Sequence, residues 1–268
     1  MPFKVKDLCD IIEEFAPQKL KEDYDNIGLM VGNTEANVNS ILMALDCTLD
    51  VIDEALLKKC NMIVTHHPLL FRKPSSVTNE TLQGIKILKL AENKINLYSA
   101  HTNFDSVSGG LNDIIVELLG FDKGRVIEAN SYDGSSSGIG RLVDLSSPIT
   151  LEKLCSIIKN KLEIKNLRYC GRDNTKIYKI AIINGSGQDF FESSRKLGAE
   201  CIITGDTSYH YVSDYNELGM CIIDAGHFGT EWPAVKVAAS KLQSALYERK
   251  LNINVYVSNC NVDPYKTK

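Results

Sequence analysis

The sequence predicts an α/β fold with mixed or mostly parallel sheets flanked by helices. Two observations predict it. Short β-branched runs alternate along the 268 residues with longer amphipathic runs, the pattern of strand–helix–strand units. A Gly-, Ser- and Asn-rich stretch at Asn130–Gly140 interrupts that alternation and reads as a linker or a long turn into a second unit.

The elements follow in order. Val5, Leu8, Ile11, Ile12 and Phe15 recur at helical spacing. Ser40–Asp46 reads as a strand, Leu49–Lys59 as a helix and Asn61–Thr65 as a second strand. A helix with Leu82, Ile85 and Leu88 inward precedes a strand at Ile95–Ala100. The next helix, "GGLNDIIVELLG", ends at Gly120, a residue suited to a left-handed stop. Beyond the linker come a strand near Arg141–Leu145, a helix over Leu151–Leu162, and strands at Ile177–Gly185, Glu200–Thr204 and "MCIIDAG". A long helix from Thr230 towards Lys250 and a strand at "INVYVS" close the chain.

Composition narrows the function. Lys and Arg total 30 against 34 Asp and Glu, a net charge of −4, with no dense basic run; nothing here leaves the electrostatic footprint of nucleic-acid binding. The N-terminal "MPFKVKDLCD" has no apolar core of a secretory signal, and no apolar run approaches the ~18 residues of a membrane span. A cytoplasmic protein is expected. The cysteines (Cys9, Cys47, Cys60, Cys155, Cys170, Cys201, Cys221 and Cys260) are scattered and read as reduced, mostly buried thiols.

The histidines are the informative residues. Of only five in the chain, His66 and His67 are adjacent in "VTHHPLLF" and follow a predicted strand. His101 follows another, with Asp105 four residues on, and His227 follows a third, with Glu231 four residues on. Ligand sites in open α/β sheets gather beyond the carboxyl ends of strands, so these segments are expected to supply one site. Imidazole with carboxylate is the donor set of first-row divalent ions, zinc, iron, manganese or nickel. Neighbouring residues of an extended chain point to opposite faces. His66 and His67 are therefore expected to serve two ions, with Asp105 and Glu231 as bridging or flanking carboxylates. Asp46, at the end of its strand, is a candidate to orient a ligand or water. "NGSGQDFF" (Asn184–Phe191) lacks both the lysine of a P-loop and the third glycine of a dinucleotide fingerprint, and reads as a tight turn.

Several stretches together resemble the Nif-three-like dinuclear metal-centre proteins, also called GTP cyclohydrolase I type 2 homologues. They are "DYDNIGLMVG", "ALDCT", "THHPLLF", "AHTNFD", "TGD" and "DAGHFGTE", in that order. Tyr24 stands where a tryptophan is frequent in the family, and Cys47 where a proline is frequent. The resemblance implies two divalent transition-metal ions per chain, held by His66, His67, Asp105, His227 and Glu231. It implies a two-lobed fold, residues 1–125 with 225–268 forming the metal-binding lobe and 126–224 the second, with the metals in the cleft between them. It places His101 and His210 as catalytic, proton-moving residues outside the ligand set, and it implies a homohexamer. The corresponding activity is a metal-dependent hydrolase acting on a nucleotide or other small molecule. The other reading of the same residues is a metal-binding scaffold or regulatory interaction protein whose ions do no chemistry.

Overall fold

The computed structural model describes residues 2–132 and 136–268. The strands are β1 (Gly28–Val31), β2 (Ser40–Ala44), β3 (Met62–Thr65), β4 (Asn96–Ser99), β5 (Arg125–Ala129), β6 (Gly138–Thr150), β7 (Arg168–Cys170), β8 (Lys176–Ser186), β9 (Cys201–Gly205), β10 (Cys221–Asp224) and β11 (Asn254–Val257). The helices are α1 (Val5–Phe15), α2 (Leu49–Leu57), α3 (Leu82–Glu92), α4 (Thr102–Ser106), α5 (Leu111–Leu119), α6 (Leu151–Lys161), α7 (Phe191–Lys196), α8 (Tyr209–Glu217) and α9 (His227–Glu248). Among the described residues no helix is long and apolar enough to cross a membrane.

The chain forms two compact units. The first comprises the residues up to Phe104 with Val235–Val262; the second comprises Asp105–Ala234 with Asp263–Lys268. The crossing points thus fall at Phe104, Ala234 and Val262, where the family resemblance implied crossings near residues 125 and 225. Helix α5 is the reason for the first difference, since it packs on β6 and β8 of the second unit.

The first unit holds a sheet in the order β1-β4-β3-β2-β11. β11, β2, β3 and β4 pair in parallel, and β1 joins β4 antiparallel at the edge. Strands β2, β3 and β4 are buried throughout, as expected where helices cover both faces of a parallel sheet. Leu42, Val51, Ile52, Ile63, Leu90 and Leu97 form part of its core. Thr48 and Thr81 cap α2 and α3 by accepting from Val51 N at 3.2 Å and Gly84 N at 3.0 Å, each satisfying an amide the helix leaves open.

Helix α3 corrects the sequence reading. Leu82 and Ile85 are exposed, and the buried positions are Gly84 and Leu90. A methyl group added at Gly84 would run into the Thr78 carbonyl. That close approach turns the helix so that Gly84 and Leu90, not Leu82 and Ile85, face inward.

The second unit holds a sheet in the order β5-β6-β8-β9-β10-β7. β8, β9 and β10 are parallel; β5, β6 and β7 join antiparallel. Its apolar core includes Ile127, Leu142, Ile183, Phe191, Ile202 and Ile222. Gly120 ends α5 at φ +82°, as its sequence predicts. The Asn130–Gly140 stretch lies within this unit rather than leading into it: Gly138–Gly140 open β6, and Asn130 N donates to Ser137 O at 2.8 Å; residues 133–135 of it lie outside the described residues. A charged pair is buried here. Arg141 donates Nε to Asp113 Oδ1 at 2.8 Å and Nη2 to Asp113 Oδ2 at 2.9 Å, while Nη1 reaches the carbonyls of Gly138 and Gly140, each at 2.8 Å. A guanidinium is tolerated in a core only when its donors are satisfied in this way.

Candidate metal centre

In the first unit the parallel register carries the imidazoles to one edge. Ala44 pairs with Thr65 and Thr65 with Ser99, so the residues just beyond all three strands emerge side by side. The ladder runs on briefly: His66 N donates to Ala44 O, His67 N to Leu45 O and Ala100 N to Thr65 O. Thr65 Oγ1 then donates to His67 O at 2.8 Å and lies 2.9 Å from Ser99 Oγ. These hydroxyls fix the backbone at the histidine pair.

Beyond Thr65 the extended conformation ends, and the expected opposite-face arrangement does not occur. The rings of His66 and His67 lie 5.1 Å apart, and His101 completes the group at 5.0 and 5.7 Å from them. One ligand atom from each of the three lies within 4.8 Å of the others. Each ring is held through Nδ1. His66 Nδ1 meets Ala100 O at 2.9 Å, His67 Nδ1 meets Asp46 Oδ1 at 2.8 Å and His101 Nδ1 meets Asp25 Oδ1 at 3.0 Å. Carbonyl and carboxylate oxygens accept only, so Nδ1 carries the proton and Nε2 the lone pair. This is how proteins prepare a histidine to ligate a metal.

Asp25 is buried. Burial alone would raise its pKa, but the hydrogen bond and charge of His101 and two hydrogen bonds from Thr102 outweigh it and hold the carboxyl at about 2. The Thr102 bonds are Oγ1 to Oδ2 at 2.6 Å and N to Oδ2 at 3.1 Å.

In the second unit helices supply the carboxylates. Helix α9 begins at His227, three residues before the expected start, which places His227 and Glu231 one turn apart on one face. His227 Nε2 lies 3.1 Å from Glu231 Oε2, and its Nδ1 meets Asp206 Oδ2 at 2.8 Å. Asp206 has φ +49°, a conformation that Asp adopts more readily than most residues. Asp105 and Glu231 are both buried. Asn184 Nδ2 donates to Asp105 Oδ1 at 2.9 Å and to Glu231 Oε1 at 3.4 Å. One carboxamide, which brings N–H groups but no charge, thus joins two buried acids.

The glycines of this region make room for those side chains. A methyl group at Gly185, where φ is +60°, would collide with Glu231 Oε1 and crowd the His227 ring. One at Gly205 would strike the backbone at Gly226 and His227. The amides of Gly185 and Gly187 donate to Thr230 Oγ1 at 3.0 Å and Thr204 Oγ1 at 2.9 Å. They are committed to threonines of α9 and β9, and the stretch read as a tight turn instead runs from the end of β8 into a 3-10 helix at Gln188–Phe190.

The donor sets of both units fit a divalent first-row ion. His66, His67 and His101 offer Nε2 lone pairs; Asp105 and Glu231 offer buried carboxylate oxygens beside His227. Burial disfavours thiolate at the buried cysteines and pushes Cys47 up to about 12, and all eight thiols are unbridged. His210 is exposed on the first turn of α8, its ring against Tyr209 at 5.4 Å. Among the described residues it joins no cluster of ligand-type side chains. Sequence reasoning passed over Asp25, Asp206 and Asn184 as site residues. Asp25 and Asp206 lie in "DYDNIGLMVG" and "TGD", so the motifs marked their neighbourhood but not their role.

Fold and side chains together define a class: a mixed α/β protein that presents anchored imidazoles and buried carboxylates of metal-binding type. The chain belongs to the Duf34/NIF3 (NGG1p interacting factor 3) family, whose model matches residues 3–264. It is 59% identical to a GTP cyclohydrolase 1 type 2 homolog of Clostridium acetobutylicum over the full length of both chains. It is 28% identical to a Streptomyces coelicolor protein of the same name, covering 98% of this chain and 93% of that one. Among solved structures, a Staphylococcus aureus hypothetical protein matches with TM-score 0.92 and 30% identity over all of both chains. Reduced HcgD from Methanocaldococcus jannaschii matches with TM-score 0.79 and 32% identity, covering 95% and 98%.

Proposed function

We propose that this chain is a metal-dependent hydrolase acting on a nucleotide, with His66, His67, Asp105, His227 and Glu231 holding two divalent transition-metal ions. The observation that carries this reading is the common anchoring of His66, His67 and His101 through Nδ1, which leaves Nε2 as the lone-pair nitrogen in each neutral ring. Nucleotide as the substrate class is supported by the relatives' name, GTP cyclohydrolase 1 type 2 homolog. Such ions lower the pKa of a bound water so that hydroxide is available near neutral pH. His101 is the proposed proton carrier: its Nε2 takes the proton, and the Asp25 carboxylate behind Nδ1 stabilises the imidazolium. The family resemblance also supports a homohexamer, which light scattering tests directly.

The test joins metal analysis to turnover. Purified protein at neutral pH in excess metal is expected to hold close to two ions per chain, and hydrolysis of GTP or a related nucleotide should scale with occupancy. His101→Ala should keep both ions and lose roughly 10²–10⁴-fold in rate, the range for a lost general acid or base. Loss of metal would move His101 into the ligand set; full rate would pass the proton role to His210. Tight binding of both ions with no turnover of nucleotides or phosphoesters would make the chain a metal-binding scaffold.

A further inference from the structure

We infer that Asn261, in the C-terminal segment after β11, is a positioning residue for His67, acting through the backbone turn that carries Asp46. The inference rests on the reading of His67 as a metal ligand only for its consequence in metal affinity. The geometry behind it belongs to the first unit alone.

β11 pairs with β2 as far as Val257 with Met43, and Ser258 N donates to Met43 O at 2.9 Å. Beyond that point β2 has no strand neighbour on this side, yet the amides of Leu45 and Asp46 still need acceptors where they are buried. Asn261 provides one. Its Oδ1 accepts from Leu45 N and, at 3.3 Å, from Asp46 N, and Asn261 is itself buried. A side-chain amide thus prolongs the ladder by one step, standing in for a strand carbonyl. The residue fixed by that step is Asp46, whose Oδ1 holds His67 Nδ1 at 2.8 Å.

The path that brings Asn261 there is also built. Glu54 of α2 accepts from Ser258 Oγ, from Asn259 N at 3.0 Å and from Cys260 N at 3.3 Å. These bonds turn the chain after β11 and latch it to the helix. The order is therefore Glu54 to the tail, Asn261 to the β2 end, Asp46 to His67. Partners behind a metal-ligating histidine fix its tautomer and ring orientation, and losing one weakens metal binding by about 10–100-fold.

The experiment uses the full chain, metal-free and labelled with ¹⁵N-histidine, at pH 8. Wild type should show His67 as the Nδ1–H tautomer. Asn261→Leu, which keeps size but has no acceptor, should give a tautomer mixture at His67 and leave His66 and His101 unchanged. Zn(II) affinity by chelator competition should fall about tenfold or more. Asn261→Asp keeps an oxygen acceptor and should restore both signals; Asp46→Asn should reproduce the Leu defect. Should the Leu variant not fold, Asn261→Ser, whose hydroxyl is too short to span the same gap, takes its place. A folded Leu or Ser variant with an unaltered His67 tautomer overturns the inference. A shifted tautomer with unchanged Zn(II) affinity supports the positioning role and instead removes His67 from the ligand set.

Discussion

In the first unit, His66, His67 and His101 follow the ends of parallel strands whose register aligns Ala44, Thr65 and Ser99. In the second, Asp105 and Glu231 sit on helices and are held by Asn184, with Glu231 fitted against Gly185. A backbone ladder brings the imidazoles to one edge, where the Thr65 and Ser99 hydroxyls set the turn; the carboxylates depend on particular side-chain hydrogen bonds and on the absence of one methyl group. Strand ends thus fix where the imidazoles emerge and leave their orientation to Nδ1 partners, while the helix-borne acids depend on side-chain contacts for both. The second unit also carries the buried Arg141–Asp113 pair, so its stability hangs on polar satisfaction as well.

The largest effect should come from that pair. Asp113→Ala strands the Arg141 guanidinium in the core, and breaking a buried pair by removing one partner costs ~3–5 kcal/mol. Urea unfolding should register it. The exposed pair Lys89–Asp53 is the control, and Asp53→Ala should move stability by no more than ~1 kcal/mol. Equal effects would deny the second unit its dependence on a charged core.

Next in size is metal content, which compares the two donor groups directly. His67→Ala is expected to lose at least one ion per chain at neutral pH in excess metal, read by elemental analysis. Glu231→Gln should weaken binding too, because an amide is a poor bridging ligand. Its loss should be reversible by raising metal concentration, whereas the His67 loss should not. Low pH is unsuitable for this measurement, since protonated imidazole cannot ligate.

Gly185→Ala sharpens the contrast within the second unit. At φ +60° the substitution strains the backbone, at a cost of order 1–3 kcal/mol, and it displaces Glu231. Metal binding and melting temperature should fall together. A variant that melts like wild type and binds metal normally would show that the carboxylate has room to spare.

The smallest effect is a pH dependence in the first unit. Burial alone would raise the Glu54 pKa, but hydrogen bonds from Asn259, Ser258 and Cys260 and the charge of Lys58 bring it below its ordinary 4.5. A carboxyl with a lowered folded pKa contributes stability above the unfolded value and loses it as pH falls through the folded one. Glu54→Gln should therefore melt earlier than wild type at pH 7, and the gap should close below pH ~4.5. A gap unchanged down to pH 3 would mean that charge at Glu54 does not hold the tail.

Much of the strand–helix order was legible in the sequence, because β-branched runs and helical periodicity are local signals. Thus β2, β3, β4, β8, β9 and β10 fall where the runs predict. Strands β1, β5 and β7 did not announce themselves. They are short and only partly buried, so they lack the continuous apolar run of a covered strand. The inward face of α3 was misread for a related reason: periodicity marks an apolar stripe, but whether a glycine can press closer than a leucine depends on what it meets, here the Thr78 backbone.

What the sequence by itself determined is the residue types and their address: imidazoles just past β3, β4 and β10, with Asp105 and Glu231 four residues beyond His101 and His227. Residue type and local hydropathy are written in order along the chain, and that suffices for those conclusions. Only the tertiary structure decided which atom of each ring is presented. That depends on Ala100, Asp46, Asp25 and Asp206, residues 21 to 76 positions from their partners in the chain but within 3.0 Å of an Nδ1 in space. It likewise decided that His66 and His67 converge rather than diverge, because the turn after Thr65 is set by hydroxyls on two neighbouring strands. Hydrogen-bond partners brought together by register leave no periodic trace in a sequence, and so the fold alone supplies them.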